Sequence, residues 1–329
     1  MKWMADIDIK PLHTPITHHH NILLVGSCFT EHIGGNLDAL KFNILQNPNG
    51  ILFETESVCR SLESYIRNQQ YTAEELTYLN ELWMSWQHHS RFSNPHQEAC
   101  LVQINESQTR AHSFLKEADW LIITLGSSFV YRLKENRQFV ANCHKAPGQW
   151  FEKYLLPVDE QISRLDNLIH QLFHYNKKLK ILFTISPVRH LRDGMVDNNR
   201  SKARLIETVH HLVNKFERLF YFPAYELVVD VLRDYRFYDI DLAHPNYAAT
   251  QFVMERFSEY AFTEETRLLN KEIRQLITAR NHKPFHSGSG QHQEFLRQQL
   301  ALAQELVSRH PHLNLTDLVH YFESNISHN

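Results

Sequence analysis

The chain has 329 residues, 43% of them hydrophobic and 22% charged, with a formal net charge of −3. These values fit an ordinary globular chain long enough for one large domain, or one domain with an appendage. They exclude nucleic-acid binding through a basic face, and no apolar stretch approaches the roughly 18–20 residues of a membrane span.

Residues 1–17 lack the apolar core of a signal peptide, and Cys28, Cys59, Cys100 and Cys143 make no C-x-x-C pair. The cysteines therefore read as reduced thiols and the compartment as cytoplasmic. His18, His19 and His20 are expected to form a solvated run, because consecutive residues of an extended segment point to alternate sides and suit no single metal ion.

Residues 22–25 are a short apolar run, followed by Gly26, Ser27 and a segment in which Ile33, Leu37 and Leu40 recur at helical spacing. The pattern predicts a buried strand, a tight turn and a helix. A serine at that turn has its hydroxyl beyond a strand's carboxyl end, and its N–H lies near a helix N-terminus that favours developing negative charge. Capping the helix is the alternative use of such a serine. Residues 41–46 read as a second strand and Asn47-Pro-Asn-Gly50 as a turn. A helix over 54–68, with Val58, Leu62 and Ile66 four apart, starts a doubly wound sheet.

Residues 75–104 break this rhythm, and within them a hairpin or lid is predicted, turning at Asn80-Glu81 and carrying Trp83, Trp86, His88 and His89. The tryptophans either pack or face a pocket. Helical spacing resumes over 105–117. Residues 119–125 are the clearest strand and end in Gly126-Ser127-Ser128. A hairpin follows over 129–140, then the loop Asn142-Cys-His-Lys145 and a helix over 157–175. A fourth strand, 180–185, stops at Ser186-Pro-Val-Arg-His190. After a polar loop at 192–199, a helix is expected over 201–219 and a short strand or buried turn over 225–230. Asp241-Leu-Ala-His-Pro-Asn246 opens a helix reaching about residue 260. Three further helical patterns, 264–280, 294–308 and 315–324, form a tail without a catalytic pattern.

In a parallel sheet the carboxyl ends of all strands lie on one edge, so Ser27, Gly50, Ser128, Arg189 and the loop holding Asp241 and His244 should converge there. Serine needs a base, and the base needs a group that fixes its tautomer; Ser27, His244 and Asp241 supply that set. His244 is expected as the base and Asp241 as its orienting carboxylate. Pro245 and Asn246 open the helix that aims the turn. Arg189, with a fork suited to a carboxylate or to sugar hydroxyls, is expected to bind substrate together with Trp86, His88, His89 and His144.

Gly26-Ser27-Cys28-Phe29-Thr30 resembles the motif that names the GSCFA family, with Thr30 where that name has alanine. Asn47-Pro-Asn-Gly50, Trp86-Gln-His-His-Ser90, Asn142-Cys-His-Lys145, Ser186-Pro-Val-Arg-His190 and Asp241-Leu-Ala-His-Pro-Asn246 resemble it in the same order, as does His282-Lys-Pro-Phe285 in the tail. The family in turn resembles the SGNH/GDSL hydrolases. That likeness implies a three-layer, flavodoxin-like α/β fold of the SGNH type, with about five parallel strands. It implies an ester hydrolase built on Ser27, Asp241 and His244, with Gly50 standing for the second-block glycine. The domain limits expected are 1–262 for the α/β domain and 263–329 for the helical extension.

SGNH enzymes place an oxyanion-donating asparagine after the third strand, where this chain has Gly126-Ser127-Ser128. Either Ser128 substitutes, or Asn142 reaches in, or the hole is weaker. The donors expected are the backbone N–H groups of Ser27 and Gly50, with Asn142 as a third. The function implied is hydrolysis of an O-acyl ester, with carbohydrate as a candidate carrier. Alternatives are carbohydrate O-acyl transfer, an inactive binding module with the same cleft, and a metal-dependent hydrolase using His88, His89, Asp241 and His244. The leading reading calls for no cofactor, no metal, no nucleic acid and no membrane, only a small-molecule or carbohydrate ester.

Overall fold

A computed structural model describes residues 5–326. The chain alternates strands and helices: β1 Asn21–Gly26, α1 Cys28–Ala39, β2 Asn43–Gln46, α2 Thr55–Arg67, the hairpin β3 Thr77–Leu79 and β4 Leu82–Met84, α3 Gln97–Glu117 and β5 Trp120–Leu125. There follow β6 Phe129–Leu133, β7 Phe139–Val140, β8 Phe151–Leu155, α4 Val158–Tyr175, β9 Lys180–Ile185, α5 Met195–Lys215, β10 Leu219–Phe222 and α6 Ala224–Glu226. The helices α7 Tyr247–Ala261, α8 Glu264–Asn281, α9 Gly290–Arg309 and α10 Thr316–Asn325 close it.

The central sheet has five strands in the order β10-β9-β5-β1-β2, with β1, β5, β9 and β10 paired in parallel. This is the flavodoxin-like order, in which the direction of winding reverses between the first and third strands of the sheet, here β1 and β5. Side chains alternate across the pleat. Leu23, Val25, Leu121, Ile123, Ile181 and Phe183 share one core with the apolar faces of α2, α3, α4 and α5. Ile22, Leu24, Trp120, Ile122 and Leu182 face the other way and are equally buried. Burial on both faces is why these strands read as continuous apolar runs rather than alternating ones. The fold is α/β, as the sequence implies.

The differences from expectation have local causes. The fifth strand is Leu219–Phe222, not 225–230. Pro223 lacks the N–H that would continue the ladder, and the buried Leu227, Val228 and Val231 recur at helical spacing in the π-helical turn Leu227–Leu232. Helix α5 starts at Met195, because its early buried positions are the polar Asn198, Ser201 and Lys202, which hide its apolar period. Helix α3 begins at Gln97, eight residues before its clear spacing. The β3–β4 hairpin turns at Asn80 and Glu81, both in the left-handed region. The hairpin at 129–140 also forms, and β8 adds to it as a third antiparallel strand.

Two compact units emerge. One comprises Asn21–Gly34 and Ile44–Arg256 with the N-terminal residues through Ile9; the other comprises Lys10–His20, Gly35–Asn43 and the chain from Phe257 onward. In the second unit α8, α9 and α10 pack on one another, and the N-terminal strap lies along the end of α7, Ile16 bridging Phe262 and Leu12 N–H donating to the Tyr260 carbonyl. His18 is no solvated residue: it is buried, stacked on Phe42 at 4.0 Å, with Nε2 at 3.0 Å from the Leu40 carbonyl oxygen. Its burial pulls the imidazole down to about 4. Among the described residues no helix is long and apolar enough to cross a membrane.

Candidate active site

Because β1, β5, β9 and β10 run parallel, Ser27, Gly126, the segment from Ser186 and the segment from Pro223 all leave the sheet at its carboxyl edge. Ser27 and Gly126 flank the point where winding reverses, the place where open α/β sheets bind ligands. Gly26 makes the approach possible. Its φ is +154°, and a Cβ there would lie 2.4 Å from the Thr124 carbonyl oxygen. Ser27 is 3% exposed, and its Oγ accepts the Phe29 N–H at 3.3 Å, a long bond of the capping kind.

Gly126 leaves a gap beside the serine. A Cβ on it would stand 3.1 Å from Phe53 Cβ, 3.4 Å from Ser27 Cβ and 3.5 Å from His190 Nε2, so the absence of a side chain at Gly126 is what lets these three approach one small space. His190 is held by its N–H, which donates to Asn198 Oδ1 at 3.0 Å, and by its ring, which lies 5.3 Å from that of Phe53. No hydrogen bond to the His190 ring nitrogens occurs among the described residues. Burial first, and then the Lys202 ammonium, pulls the imidazole down to about 4, with Lys153 and His244 adding and Asp193 opposing. At neutral pH it carries no charge.

Asp241 and His244 sit on the loop before α7. Asp241 Oδ1 accepts the Ala243 N–H at 2.9 Å and the His244 N–H at 3.0 Å, and Oδ2 lies 2.6 Å from His244 Nδ1. The two backbone donors, then the imidazole, hold the carboxyl down to about 2. With Nδ1 tied to a carboxylate, Nε2 is the nitrogen left to accept a proton. The loop is built for this shape: Leu242 is left-handed at φ 57°, Tyr238 pairs with Pro245, and Asn246 Oδ1 caps α7 through the Ala249 N–H. His244 is half exposed and lies within electrostatic reach of His190 and of His32 on α1. No hydrogen bond joins His244 to Ser27 among the described residues.

The expected oxyanion donors are largely engaged elsewhere. The Ser27 N–H donates to the Thr124 carbonyl at 3.0 Å as the next rung of the β1–β5 ladder, and the Gly50 N–H donates to the Asn47 carbonyl at 2.7 Å. Asn142 makes its contacts with Trp86 and His144, its Oδ1 accepting the His144 N–H at 2.8 Å. Ser128 is fully buried and donates to the Ser201 carbonyl at 2.8 Å, so it does not stand in for the missing asparagine.

The expected substrate-binding set divides. Trp86 packs edge-on to Phe151 at 5.7 Å in a small core with Met84, Leu133 and Val140. His88 is 1% exposed, its Nδ1 at 2.9 Å from Ser85 Oγ and its ring edge-on to Tyr71 and Phe92, and burial takes it down to about 3. Both are packing residues, because the turn after β4 carries them inward. The half-buried His144 faces the Ser85 carbonyl at 2.9 Å. His89 alone remains near the edge. Its Cβ would be 2.1 Å from a Cβ on Gly50, which explains a glycine there beyond its φ of +82°. Arg189 does not reach free into a pocket. Its guanidinium lies 4.0 Å over the Tyr238 ring and donates to the Leu242 carbonyl at 3.3 Å, while its N–H donates to the Ala243 carbonyl. It braces the loop that carries Asp241 and His244.

Two neighbours escaped the sequence reading. His190 stood in a motif that was recognised without a role. Lys202 is 1% exposed and donates to the Gly126 and Ser186 carbonyls, both at 2.6 Å, tying the ends of β5 and β9 together. The signal was present: Lys202, Leu205, Val209 and Leu212 share one helical stripe, a charge at a core position. Burial pushes the half-buried Cys28 thiol up, away from the thiolate form a nucleophile needs. Among the described residues no three His, Cys, Asp or Glu side chains converge to hold a metal ion.

No match was found among curated proteins. Two solved structures are similar at low levels. One is a family two carbohydrate esterase from Clostridium thermocellum in complex with cellohexaose, 12% identical with a TM-score of 0.36 over 76% of this chain. The other is an acetyl xylan esterase from the rumen bacterium Butyrivibrio proteoclasticus, 10% identical with a TM-score of 0.38 over 75% of this chain. The chain spans 64% of the length of each. The GSCFA family matches residues 21–257, and the C-terminal domain of GSCFA domain proteins matches residues 273–328. The chain belongs to the GSCFA family.

Proposed function

We propose that the protein is a serine esterase acting on an O-acyl ester, with a carbohydrate as the alcohol it serves best. The observation that carries this reading is the Asp241–His244 pair, bonded at 2.6 Å through Nδ1, on the same sheet edge as Ser27. Ser27 Oγ attacks the ester carbonyl carbon and passes its proton to His244 Nε2, while the carbonyl electron pair moves onto oxygen. Collapse of the tetrahedral intermediate breaks the bond to the alcohol, which leaves with the proton from His244. Water then repeats the sequence on the acyl-serine and releases the acid; a sugar hydroxyl in place of water gives acyl transfer. Asp241 holds the tautomer and stabilises the imidazolium.

Ser27 Oγ accepts the Phe29 N–H in the first turn of α1, and among the described residues no hydrogen bond joins it to His244. Catalytic hydrogen bonds are often long before substrate binds. The test is labelling by a fluorophosphonate together with hydrolysis of p-nitrophenyl acetate. Both should be present in the wild type and absent in Ser27→Ala. Binding of acetylated sugar with neither signal would replace the esterase with a binding module.

A further inference from the structure

We propose that His190 is the oxyanion donor of this site, its Nε2–H pointing into the gap over Gly126 where the carbonyl oxygen of an ester on Ser27 would lie. The proposal rests on the esterase reading above and completes it. An acyl-transfer serine needs donors aimed at the oxygen that becomes negative. The two backbone N–H groups expected there are given to Thr124 and Asn47, and the Ser128 hydroxyl is given to Ser201. What remains beside Ser27 is an imidazole whose Nε2 borders the same small space over Gly126 as the serine Cβ, at 3.5 Å and 3.4 Å from its centre, with Phe53 Cβ closing it at 3.1 Å.

His190 suits donation rather than proton abstraction. No carboxylate bonds its ring, so nothing prepares it to take up charge, whereas His244 has Asp241. The charged groups acting on it most are Lys202, Lys153 and His244, with Asp193 opposing them. Its low affinity for a proton keeps it a neutral N–H donor through the working pH range, the way a neutral imidazole polarises a carbonyl in other enzymes. Phe53 on one face and the Asn198 bond to its backbone fix the ring before substrate arrives. Preorganisation of this kind is what makes such a donor effective. Lys202 contributes through its carbonyl bonds, which hold Gly126 and Ser186 and thereby set the width of the gap.

The test uses p-nitrophenyl acetate turnover and fluorophosphonate labelling of the full chain. His190→Ala should lower kcat by about 10²–10³ with KM changed little. His190→Gln, which keeps an N–H donor of similar reach, should recover part of that loss. In both variants the pH dependence of the residual rate should keep the wild-type midpoint, because the base is still His244. In the wild type, nitrogen NMR of the phosphonylated enzyme should show the His190 Nε2 proton moving downfield as it bonds the phosphonyl oxygen. A kcat within about threefold of wild type for His190→Ala would overturn the proposal. So would loss of the pH-dependent limb in that variant with His244→Ala still active, which would make His190 the base. An inactive, unlabelled wild type would instead sink the esterase reading itself, and this proposal with it.

Discussion

Asp241 spends both carboxylate oxygens inside its own loop: Oδ1 takes two backbone N–H groups and Oδ2 lies 2.6 Å from Nδ1 of His244. The same side chain therefore shapes the turn and sets the tautomer of the His244 imidazole. Asp241→Asn keeps an oxygen for the turn and loses the anion that stabilises an imidazolium. We expect it to cost at least about tenfold in kcat on p-nitrophenyl acetate, and less than His244→Ala. Ser27→Ala and His244→Ala should each remove most activity, with the double variant scarcely worse than either. The folded carboxyl is depressed from 3.8 to about 2, so its contribution to stability is present above the ordinary value and lost as pH falls through about 2. Full activity in His244→Ala would refute the assignment.

Gly126→Ala tests the gap between Ser27 and His190. The added methyl would lie 3.1 Å from Phe53 Cβ, 3.4 Å from Ser27 Cβ and 3.5 Å from His190 Nε2. Overpacking of this order costs about 1–3 kcal/mol, which a domain of this size tolerates. The expected result is a folded protein with a modestly lower melting temperature and kcat reduced more than tenfold, by the same reasoning. Gly148→Ala, where a Cβ meets nothing within 4 Å, is the matched control. Equal activity in the two variants would show that the space is not used by substrate.

Strands β1, β2, β5 and β9 were legible because each is a short run ended by a turn residue, and Ser27 and Gly126 followed from those ends; β10 was not, because the buried apolar residues of the helical turn after Pro223 drew the expected strand to 225–230. The contact between His244 and Asp241 was legible for a different reason: both lie in one short turn, so no long-range packing had to be guessed. What failed was anything decided by which way a side chain faces. Trp86 and His88 looked like pocket residues by type, yet the chain after β4 turns both into a core, and sequence carries no period long enough to say so. His190 and Lys202 were missed because their value depends on β9 and α5 being brought against β5, a tertiary fact. The contacts of Arg189 were not legible, since its partners Leu242 and Tyr238 lie about fifty residues away.

Arg189 should matter through the loop it braces. Its guanidinium stacks on Tyr238 and reaches the Leu242 carbonyl, a geometry that lysine's point charge does not reproduce. In Arg189→Lys the amide of His244, which bonds Asp241, should exchange with solvent several-fold faster, and kcat should fall several-fold with it. Hydrogen exchange at residues 239–246 reads the first effect directly. Unchanged exchange with reduced kcat would mean that Arg189 contacts substrate instead.

Lys202 should make stability depend on alkaline pH. Burial pulls its ammonium from 10.5 to about 7, with Cys28 opposing, and it donates to the Gly126 and Ser186 carbonyls at 2.6 Å. A lysine depressed in the folded state binds its proton more weakly there than in the unfolded chain. Between about 7 and 10.5 the unfolded state therefore holds more protons, and stability rises with pH across that window; below it the full penalty of the buried charge applies. Lys202→Met removes the charge and leaves two buried carbonyls without a donor, terms of opposite sign and each of order 1–3 kcal/mol or more. The sign at one pH is therefore less informative than the slope. Urea midpoints measured at about pH 7 and about pH 9.5 should separate, the wild type gaining on Lys202→Met as pH rises. The same variant should let the imidazole of His190 take up a proton more readily, since Lys202 is the leading charge that opposes it. A difference between the two proteins that stays constant over this range would place the Lys202 ammonium back at an ordinary lysine value, and its grip on the β5 and β9 ends would then be that of a permanent cation.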